Sequence, residues 1–319
     1  MLDLDRRPAY ARCGHLLPRI DSAELDCVSD TLALLLAARG IGDVLTPFGC
    51  DWRFELGAPD PSGRIGLLLP PPDQDALLGR RTGWCPVWTE VSAGSVADWR
   101  RALREGYAVA VVADAYHLPW VPYASQAHMD HGFVIEGLDE STAYIADPYD
   151  NVTEWGRATP QCLQTSLDVI EPALGRARWC RLEPVTDPCE PVDPVAAIAA
   201  NAHAIAASSG RYEEFIAQYA TLDADALEHL ALQTWLAHRS RALHARWLSS
   251  RSVAEVRPDA ADRFAAVVPA WQRASEAAYL ALRRVRRGRP VPAGPVQSLR
   301  TVAETERATA AAMLEAGQR

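Results

Sequence analysis

The sequence predicts an α+β domain over residues 1–190, followed by an all-α helical domain over residues 191–319. Three observations support this division. Short runs rich in Val, Ile, Trp and Tyr alternate with turns only in the first part, whereas Ala-, Leu- and Arg-rich helical stretches fill the second. Residues 183–194 contain four prolines, which is typical of a linker. The net charge also changes there, from −12 in the first part to +3 in the second.

In the first domain we expect six short strands, each bounded by Gly, Pro, Asp or Ser. They cover residues 64–69, 84–91, 107–113, 132–138, 142–146 and 176–182. Helices are expected over residues 27–39, 97–105 and 160–169. The last of these rests on Thr159-Pro160, which is a capping residue followed by a first-turn proline.

In the second domain we expect four or five helices. They cover approximately residues 195–208, 211–220, 224–249, 259–287 and 296–315. Pro269 should kink or break the fourth stretch. The side chains Leu232, Leu236, Leu243 and Trp247 recur on one stripe, which predicts the core-facing side of the third stretch.

The composition excludes several classes of protein. The chain has 319 residues, 49% of them apolar and 23% charged, as in ordinary globular proteins. No apolar stretch reaches the roughly 18–20 residues of a membrane helix, and no secretory signal is visible, so a cytoplasmic location without a membrane partner is expected. A net charge of −9 without a dominant basic face argues against nucleic-acid binding. The seven cysteines form no Cys-x-x-Cys pair, and no nucleotide-binding motif occurs.

Cys27 is the first candidate for chemistry. It lies in the first turn of a helix that Asp26 is expected to cap, where the helix dipole and the unpaired backbone N–H groups favour a thiolate. A thiolate is the nucleophile of cysteine enzymes. Taken alone, this position fits a buried structural cysteine better.

His131 and Asp147 are the second and third candidates. Two strands joined by a turn at residues 139–141 would return Asp147 to the sheet end where His131 begins. An imidazole oriented by a carboxylate is the general base that activates a thiol. Metal binding by His128, Asp130 and His131 is the alternative, but no third clustered His or Cys supports it, so no metal is expected.

The order Cys27, His131, Asp147 is that of papain-type enzymes, and particular segments make the resemblance more specific. The aspartate–cysteine pair before a Leu/Ala-rich helix resembles the opening of bacteriocin-processing peptidase domains, and the segment from His131 to Asp147 resembles their His–Asp block. Residues 113–120, Ala-Asp-Ala-Tyr-His-Leu-Pro-Trp, resemble the segment before the histidine in the butirosin-biosynthesis BtrH-type acyltransferases. That family combines a papain-like cysteine-protease fold with a C-terminal helical domain.

The resemblance implies transfer of an acyl group from the thioester of an acyl or peptidyl carrier protein to a small amine. The reaction belongs to natural-product assembly and needs no ATP. The phosphopantetheine arm is part of the carrier, so the resemblance implies no cofactor for this chain. Related peptidases place an oxyanion-donating glutamine six residues before the cysteine. Asp21 stands there instead, and because an ionised carboxylate does not donate, Ser22 becomes the candidate donor.

Two further groups of residues are assigned by position. Tyr116, Trp120 and Tyr123 precede the histidine strand and are expected to line a substrate groove. Residues 283–289 form the densest basic run, which would suit docking of an acidic carrier protein. The docking candidates are Arg283, Arg284, Arg286 and Arg287. The alternative is a solvated helix end whose arginines cap carbonyl groups.

Two other functions stay open. A cysteine hydrolase, either a peptidase or a thioesterase, would use the same three residues with water as the acceptor. A non-catalytic binding module would keep the fold without the chemistry, although the presence of Cys, His and Asp in this order argues against it. Labelling of the Cys27 thiol separates both enzymes from the binding module.

Overall fold

The computed structural model describes residues 9–20, 23–186, 192–291 and 294–317. These residues form an α+β region with an antiparallel sheet and a C-terminal helical region. The strands are β1 (Ala9–Tyr10), β2 (Leu56–Pro59), β3 (Ile65–Leu67), β4 (Trp84–Glu90), β5 (Val109–Asp114), β6 (Asp130–Leu138), β7 (Thr142–Asp147), β8 (Asn151–Thr153), β9 (Gly156–Ala158), β10 (Gln161–Ser166) and β11 (Arg178–Pro184). The helices are α1 (Cys27–Ala38), α2 (Thr46–Gly49), α3 (Gln74–Thr82), α4 (Ser95–Arg104), α5 (Leu167–Ile170), α6 (Pro194–Ala206), α7 (Ser209–Ala217), α8 (Ala224–Leu248), α9 (Arg251–Ala254), α10 (Ala260–Phe264), α11 (Val267–Val285) and α12 (Gly294–Gly317). Among the helices described, none is both long enough and apolar enough to cross a bilayer.

The chain divides into two compact units, and the division differs from the predicted one in a single segment. The first unit takes in Met1–Pro47 and Asp75–Glu190, and the second Phe48–Gln74 and Pro191–Arg319. The sequence assigns residues 48–74 to the first domain, whereas the structure places them in the helical unit. Trp52 and Phe54 are buried in the core of that unit, and Asn201 Nδ2 donates a hydrogen bond to the Cys50 carbonyl at 2.8 Å. These contacts explain the reassignment.

The first unit is built on a seven-stranded sheet. Its order is β10-β7-β6-β5-β11-β4, with β1 also paired to β6, and every pair is antiparallel. Helix α1 packs against β6 and β5. A Cβ atom at Gly132 would lie 2.6 Å from both the Cys27 carbonyl oxygen and the Thr31 hydroxyl. The absence of a side chain at Gly132 therefore lets the start of α1 approach the start of β6.

Residues 161–166 are a strand, so the helix predicted after Thr159-Pro160 is wrong. Strand β10 pairs with β7 and places Gln161 opposite Asp147. Its side chains alternate between partly buried and exposed over most of its length, as expected for a strand at the edge of a sheet. Pairing with the open edge of β7 thus overrides the local helix signal. Only the single turn α5 follows, with Ser166 as its cap.

The helical unit follows the predicted stretches with three local differences, the first of which is the unpredicted short helix α9. The stretch predicted over residues 259–287 is split into α10 and α11, and the break lies just before Pro269. Pro269 thus occupies the first turn of α11, where its missing N–H group has no intrahelical partner to lose. On α8, Leu243 and Trp247 are buried as expected, but Leu232 is 52% exposed, so the predicted core-facing stripe is wrong there.

The core of the helical unit contains a fully buried ion pair. Arg241 Nε donates to Glu306 Oε1 at 2.7 Å, and the same carboxylate accepts hydrogen bonds from Trp52, Trp271 and Tyr212. Burial by itself raises the pKa of Glu306, but the charge of Arg241 and the hydrogen-bond donors hold that pKa below its usual value. Because Trp52 comes from residues 48–74, this network ties that segment to the helices.

Candidate active site

Cys27 begins helix α1, as the sequence predicts. The Asp26 side chain accepts hydrogen bonds from the backbone N–H groups of Val28 and Ser29, both at 2.9 Å, and thereby caps the helix. The Cys27 side chain is half-buried, and its Sγ lies 3.7 Å from the carbonyl oxygen of Asp130. The thiol is therefore placed at a helix N-terminus next to the first residues of β6.

His131 and Asp147 meet at the open end of the β6–β7 hairpin. The hairpin pairs Val134 with Ala146, and this register returns Asp147 to the beginning of β6. His131 Nε2 lies 2.7 Å from Asp147 Oδ2, and the two residues are only 1% and 3% exposed. The structure thus contains the predicted hairpin and brings these two side chains into a buried hydrogen bond.

Further partners of this pair come from residues near it in sequence. Trp120 Nε1 donates to Asp147 Oδ2 at 2.9 Å, and the Tyr149 backbone N–H donates to Asp147 Oδ1 at 3.1 Å. The Tyr123 hydroxyl lies 2.8 Å from His131 Nδ1. The sequence predicts Trp120 and Tyr123 as groove-lining residues. In the structure the polar atoms of both side chains hydrogen-bond to the His131–Asp147 pair. Trp120 is half-buried, whereas Tyr123 is only 3% exposed.

The surroundings of His131 favour its protonated form. Burial by itself lowers the pKa of His131, but the charge and hydrogen bond of Asp147, together with the nearby Cys27 side chain, outweigh burial and raise that pKa to about 10. Burial, reinforced by neighbouring groups including Cys27, raises the pKa of Tyr123, so its hydroxyl stays protonated. The Tyr123 hydroxyl and His131 Nδ1 therefore share a hydrogen bond whose donor depends on the protonation of the ring. A thiol beside an imidazolium that a carboxylate orients is an arrangement suited to nucleophilic chemistry.

Most of the other described cysteines lie in surroundings that disfavour a thiolate. Burial raises the pKa of four thiols: Cys13, Cys85, Cys162 and Cys180. Cys50 is buried in the core of the helical unit, and Cys189 lies outside the described residues. Cys27 thus stands out by its combination of partial exposure, helix start and adjacent imidazolium.

The first unit contains a cavity of about 600 Å³ at the start of β6. Asp130 lines this cavity, and its backbone carbonyl is the group that Cys27 Sγ contacts. The remaining lining residues are Asp114, His128, Met129, Pro172, Ala173, Gly175 and Arg176. Tyr116, predicted to bind substrate, stacks on His128 with 4.2 Å between ring centroids. Tyr116 therefore supports one wall of the cavity.

The structure also brings together the side chains of Asp114, His117 and His128. Asp114 Oδ2 lies 2.7 Å from His128 Nδ1 and 4.0 Å from His117 Nε2. The metal alternative from the sequence groups His128 with Asp130 and His131, whereas in the structure His128 bonds to Asp114 and His131 bonds to Asp147. The signal that identifies the new cluster is the spacing of Asp114 and His117 on one turn, combined with the pairing of Asp114 with Asp130 across β5 and β6.

The arginines proposed for carrier docking lie at the end of α11 in the helical unit. Arg283 Nη1 donates to the Tyr279 hydroxyl and Arg284 Nε donates to the Pro290 carbonyl, both at 3.1 Å. Arg286 pairs with Glu228 at 3.1 Å. Local contacts of this kind are expected of arginines at a solvated helix end.

No protein-family model matches the sequence, and no match was found among curated proteins. Asp21 and Ser22, which concern the second oxyanion donor, lie outside the described residues. With no matching family, the interpretation of the site rests on the geometry of Cys27, His131 and Asp147.

Proposed function

We propose that the protein is a cysteine-dependent acyltransferase with a papain-like catalytic domain, acting in the cytoplasm in natural-product biosynthesis. The observation that carries this proposal is the placement of the Cys27 thiol at the start of α1 beside His131, whose Nε2 lies 2.7 Å from Asp147. The resemblance to the BtrH-type acyltransferases suggests the donor, which is an acyl or peptidyl thioester on a carrier protein.

The first half-reaction forms an acyl-enzyme. An imidazolium beside a thiol stabilises the thiolate, which is the nucleophilic form. The Cys27 thiolate attacks the carbonyl carbon of the thioester, so that a bond forms from Sγ to carbon and the bond from carbon to the carrier sulfur breaks. His131 gives its proton to the departing carrier thiolate and becomes neutral. One thioester replaces another, so the step is nearly balanced in free energy.

The second half-reaction forms the amide. A neutral amine attacks the acyl carbon of the acyl-enzyme, and the bond from carbon to Cys27 Sγ breaks. His131 takes the proton that the amine nitrogen loses, which restores the thiolate–imidazolium pair. Aminolysis of a thioester is downhill, so the reaction needs no ATP.

The hydrogen bonds of His131 assign different roles to its two nitrogens. Nε2 bonds to Asp147, which orients the ring and stabilises its charge. Nδ1 is left for the proton transfers, and it also bonds to the Tyr123 hydroxyl at 2.8 Å. We assign Tyr123 as a positioning residue, because its hydroxyl holds the ring in place between turnovers.

We assign the amine acceptor to the cavity lined by Asp130, because the carbonyl of this residue lies 3.7 Å from Cys27 Sγ. The competing function is hydrolysis. A hydrolase would use the same three residues, but water rather than an amine would occupy the cavity. Exclusion of water while the amine binds is therefore what separates the transferase from a hydrolase.

Docking of the carrier is proposed for the arginine-rich end of α11, with Arg283, Arg284, Arg286 and Arg287 as its candidates. Carrier proteins are usually acidic, and an enzyme with a net charge of −9 needs a local basic surface to attract one. The local contacts of three of these arginines leave a helix-capping role as the competing explanation.

Mass spectrometry tests the proposed function directly. Limited iodoacetamide should alkylate Cys27 before the other six cysteines, and an S-acyl N-acetylcysteamine donor should add one acyl group to the intact protein. The adduct should be absent in Cys27→Ala and present in Cys162→Ala, a matched control that removes another surface cysteine. The adduct should persist without an amine and disappear, with amide product, when amines are added.

Two results would contradict the proposal. Preferential alkylation of another cysteine, with Cys27 unmodified, would exclude Cys27 as the nucleophile and favour a binding module. Release of free acid at the same rate with and without amines would identify a hydrolase.

A further inference from the structure

We propose that Asp114, His117 and His128 form a binding site for a divalent transition metal of the zinc class. The ion would join the two ends of the segment between β5 and β6. The inference goes beyond the proposed acyltransferase and does not rest on it, because neither Cys27 nor His131 contributes a ligand.

The three side chains each offer one ligand atom, and these atoms all lie within 4.8 Å of one another. Tetrahedral coordination at metal–ligand distances of about 2.1 Å separates neighbouring ligand atoms by about 3.4 Å. The observed separations of 2.7 Å, between Asp114 and His128, and 4.0 Å, between Asp114 and His117, lie on either side of that value. Side-chain movements on the order of 1 Å would thus bring the three ligand atoms to the separations of a tetrahedral site, where they would fill three of the four positions.

The chemistry of the donors selects the class of ion. Two imidazoles and one carboxylate are typical of zinc and of related first-row metals, whereas calcium and magnesium prefer sites made of oxygen atoms. Three protein ligands leave a fourth position for water or for a bound molecule. Because Asp114 and His128 line the 600 Å³ cavity, a bound ion would lie at the wall of that cavity.

The ligands are already oriented by neighbouring groups. The second carboxylate oxygen of Asp114 accepts a hydrogen bond from the Tyr116 backbone N–H at 3.0 Å. The Tyr116 ring stacks on His128 with an interplanar angle of 15°. Partners of this kind fix ligand side chains in established metal sites. The side chains of Asp114, His117 and His128 are 29%, 36% and 67% exposed, so an ion can reach them without opening the fold.

The position of the cluster gives the ion a structural role. Asp114 and His117 begin the connection from β5 to β6, and His128 is near its end. Residues 118–127 are thus enclosed between two ligands, and they carry Trp120 and Tyr123, which hydrogen-bond to the His131–Asp147 pair. A metal cross-link would reduce the motion of this loop, because closing a loop lowers its conformational entropy.

The competing explanation is an ordinary hydrogen bond between an exposed histidine and an aspartate. Such pairs contribute little to stability and bind no ion. A simple hydrogen bond between His128 and Asp114 does not account for the position of His117 near the same Asp114 carboxylate. It also predicts that metal ions do not change residues 118–127.

Zinc titration of the full-length, tag-free and chelator-treated protein tests the site. Isothermal titration calorimetry with zinc chloride should give one ion per chain. His117→Ala and His128→Ala should each weaken the affinity at least tenfold. His203→Ala is the matched control, since it removes an exposed histidine on α6, and it should bind zinc as the wild type does. Cys27→Ala should also bind normally.

Hydrogen–deuterium exchange gives a second readout that is independent of activity. Zinc should slow exchange of backbone amides in residues 118–127 of the wild type, but not in His128→Ala. Absence of stoichiometric binding in the wild type would overturn the proposal. So would equal affinity in His117→Ala, His128→Ala and the wild type, which would indicate an adventitious ion only. Loss of binding in Cys27→Ala would place the ion at the thiol and would overturn it as well.

Discussion

Replacement of Asp147 by asparagine preserves the shape of the side chain and removes the negative charge that keeps His131 protonated. In the wild type the pKa of His131 is raised from the usual 6.5 to about 10. Since each pKa unit corresponds to about 1.4 kcal/mol, the folded protein favours the imidazolium by about 5 kcal/mol relative to the unfolded chain. Without the charge of Asp147, the pKa of His131 should fall, because burial is the largest single influence on it and disfavours the charged ring.

The sign of this shift fixes the pH dependence of the effect. Because the folded pKa lies above the unfolded one, the charged pair stabilises the protein fully below pH 6.5, and its contribution is lost as the pH rises towards 10. The free energy of unfolding of Asp147→Asn should therefore lie about 5 kcal/mol below that of the wild type at pH 6. The difference in the free energy of unfolding between the two proteins should narrow to about 1 kcal/mol by pH 10, which is the contribution of one neutral hydrogen bond.

Two measurements check this prediction. Urea unfolding at pH 6, 8 and 10 gives the stability difference, and ring-nitrogen NMR gives the pKa of His131 directly. Asp150→Asn is the matched control, because Asp150 pairs with Arg157 at 2.7 Å and arginine does not titrate in this range. Its stability difference should stay constant with pH. A wild-type His131 that titrates near 6.5, or a difference for Asp147→Asn that does not narrow, would refute the reasoning.

Two further exchanges test the positioning and docking roles. Tyr123→Phe leaves His131 Nδ1 without its buried partner, so the free energy of unfolding should fall by about 1–3 kcal/mol while iodoacetamide alkylation of Cys27 stays close to the wild-type rate. Loss of acyl transfer as complete as in His131→Ala would instead make Tyr123 part of the proton transfer. Arg284→Glu combined with Arg287→Glu should raise KM for a carrier-bound thioester and weaken its salt dependence, with little effect on an N-acetylcysteamine thioester. Equal effects on both donors would exclude docking at this helix end.

The parts of the site that follow from local sequence signals could be predicted. Asp26 caps α1 through hydrogen bonds to residues two and three positions along, so the cap and the placement of Cys27 depend only on neighbouring residues. The β6–β7 hairpin has a short turn, which fixes the register that brings Asp147 back to His131. Both arrangements are encoded within fewer than twenty residues.

The parts that depend on distant partners could not be predicted in this way. Residues 161–166 carry a local helix signal, but the open edge of β7 makes them a strand. Residues 48–74 show the alternating strand-like runs and turns of the first domain. Trp52 is nevertheless buried beside Glu306, which lies 254 residues further along the chain. The direction of a side chain is likewise a tertiary property. The position of Tyr123 in the sequence therefore predicts a groove wall and does not reveal its hydrogen bond to His131.

The buried charge of the His131–Asp147 pair depends on these non-local partners. A charged pair is costly to bury unless its remaining polar atoms are also hydrogen-bonded. Here Trp120 and the Tyr149 backbone donate further hydrogen bonds to the Asp147 carboxylate, and Tyr123 hydrogen-bonds to the second ring nitrogen of His131. The Trp120 carbonyl in turn accepts a hydrogen bond from Gln161 Nε2 at 3.3 Å, which links the loop to β10. The edge strand β10 and the loop before β6 thus both support the His131–Asp147 pair. Substitutions in either should therefore change the pKa of His131, although none of these hydrogen bonds involves Cys27.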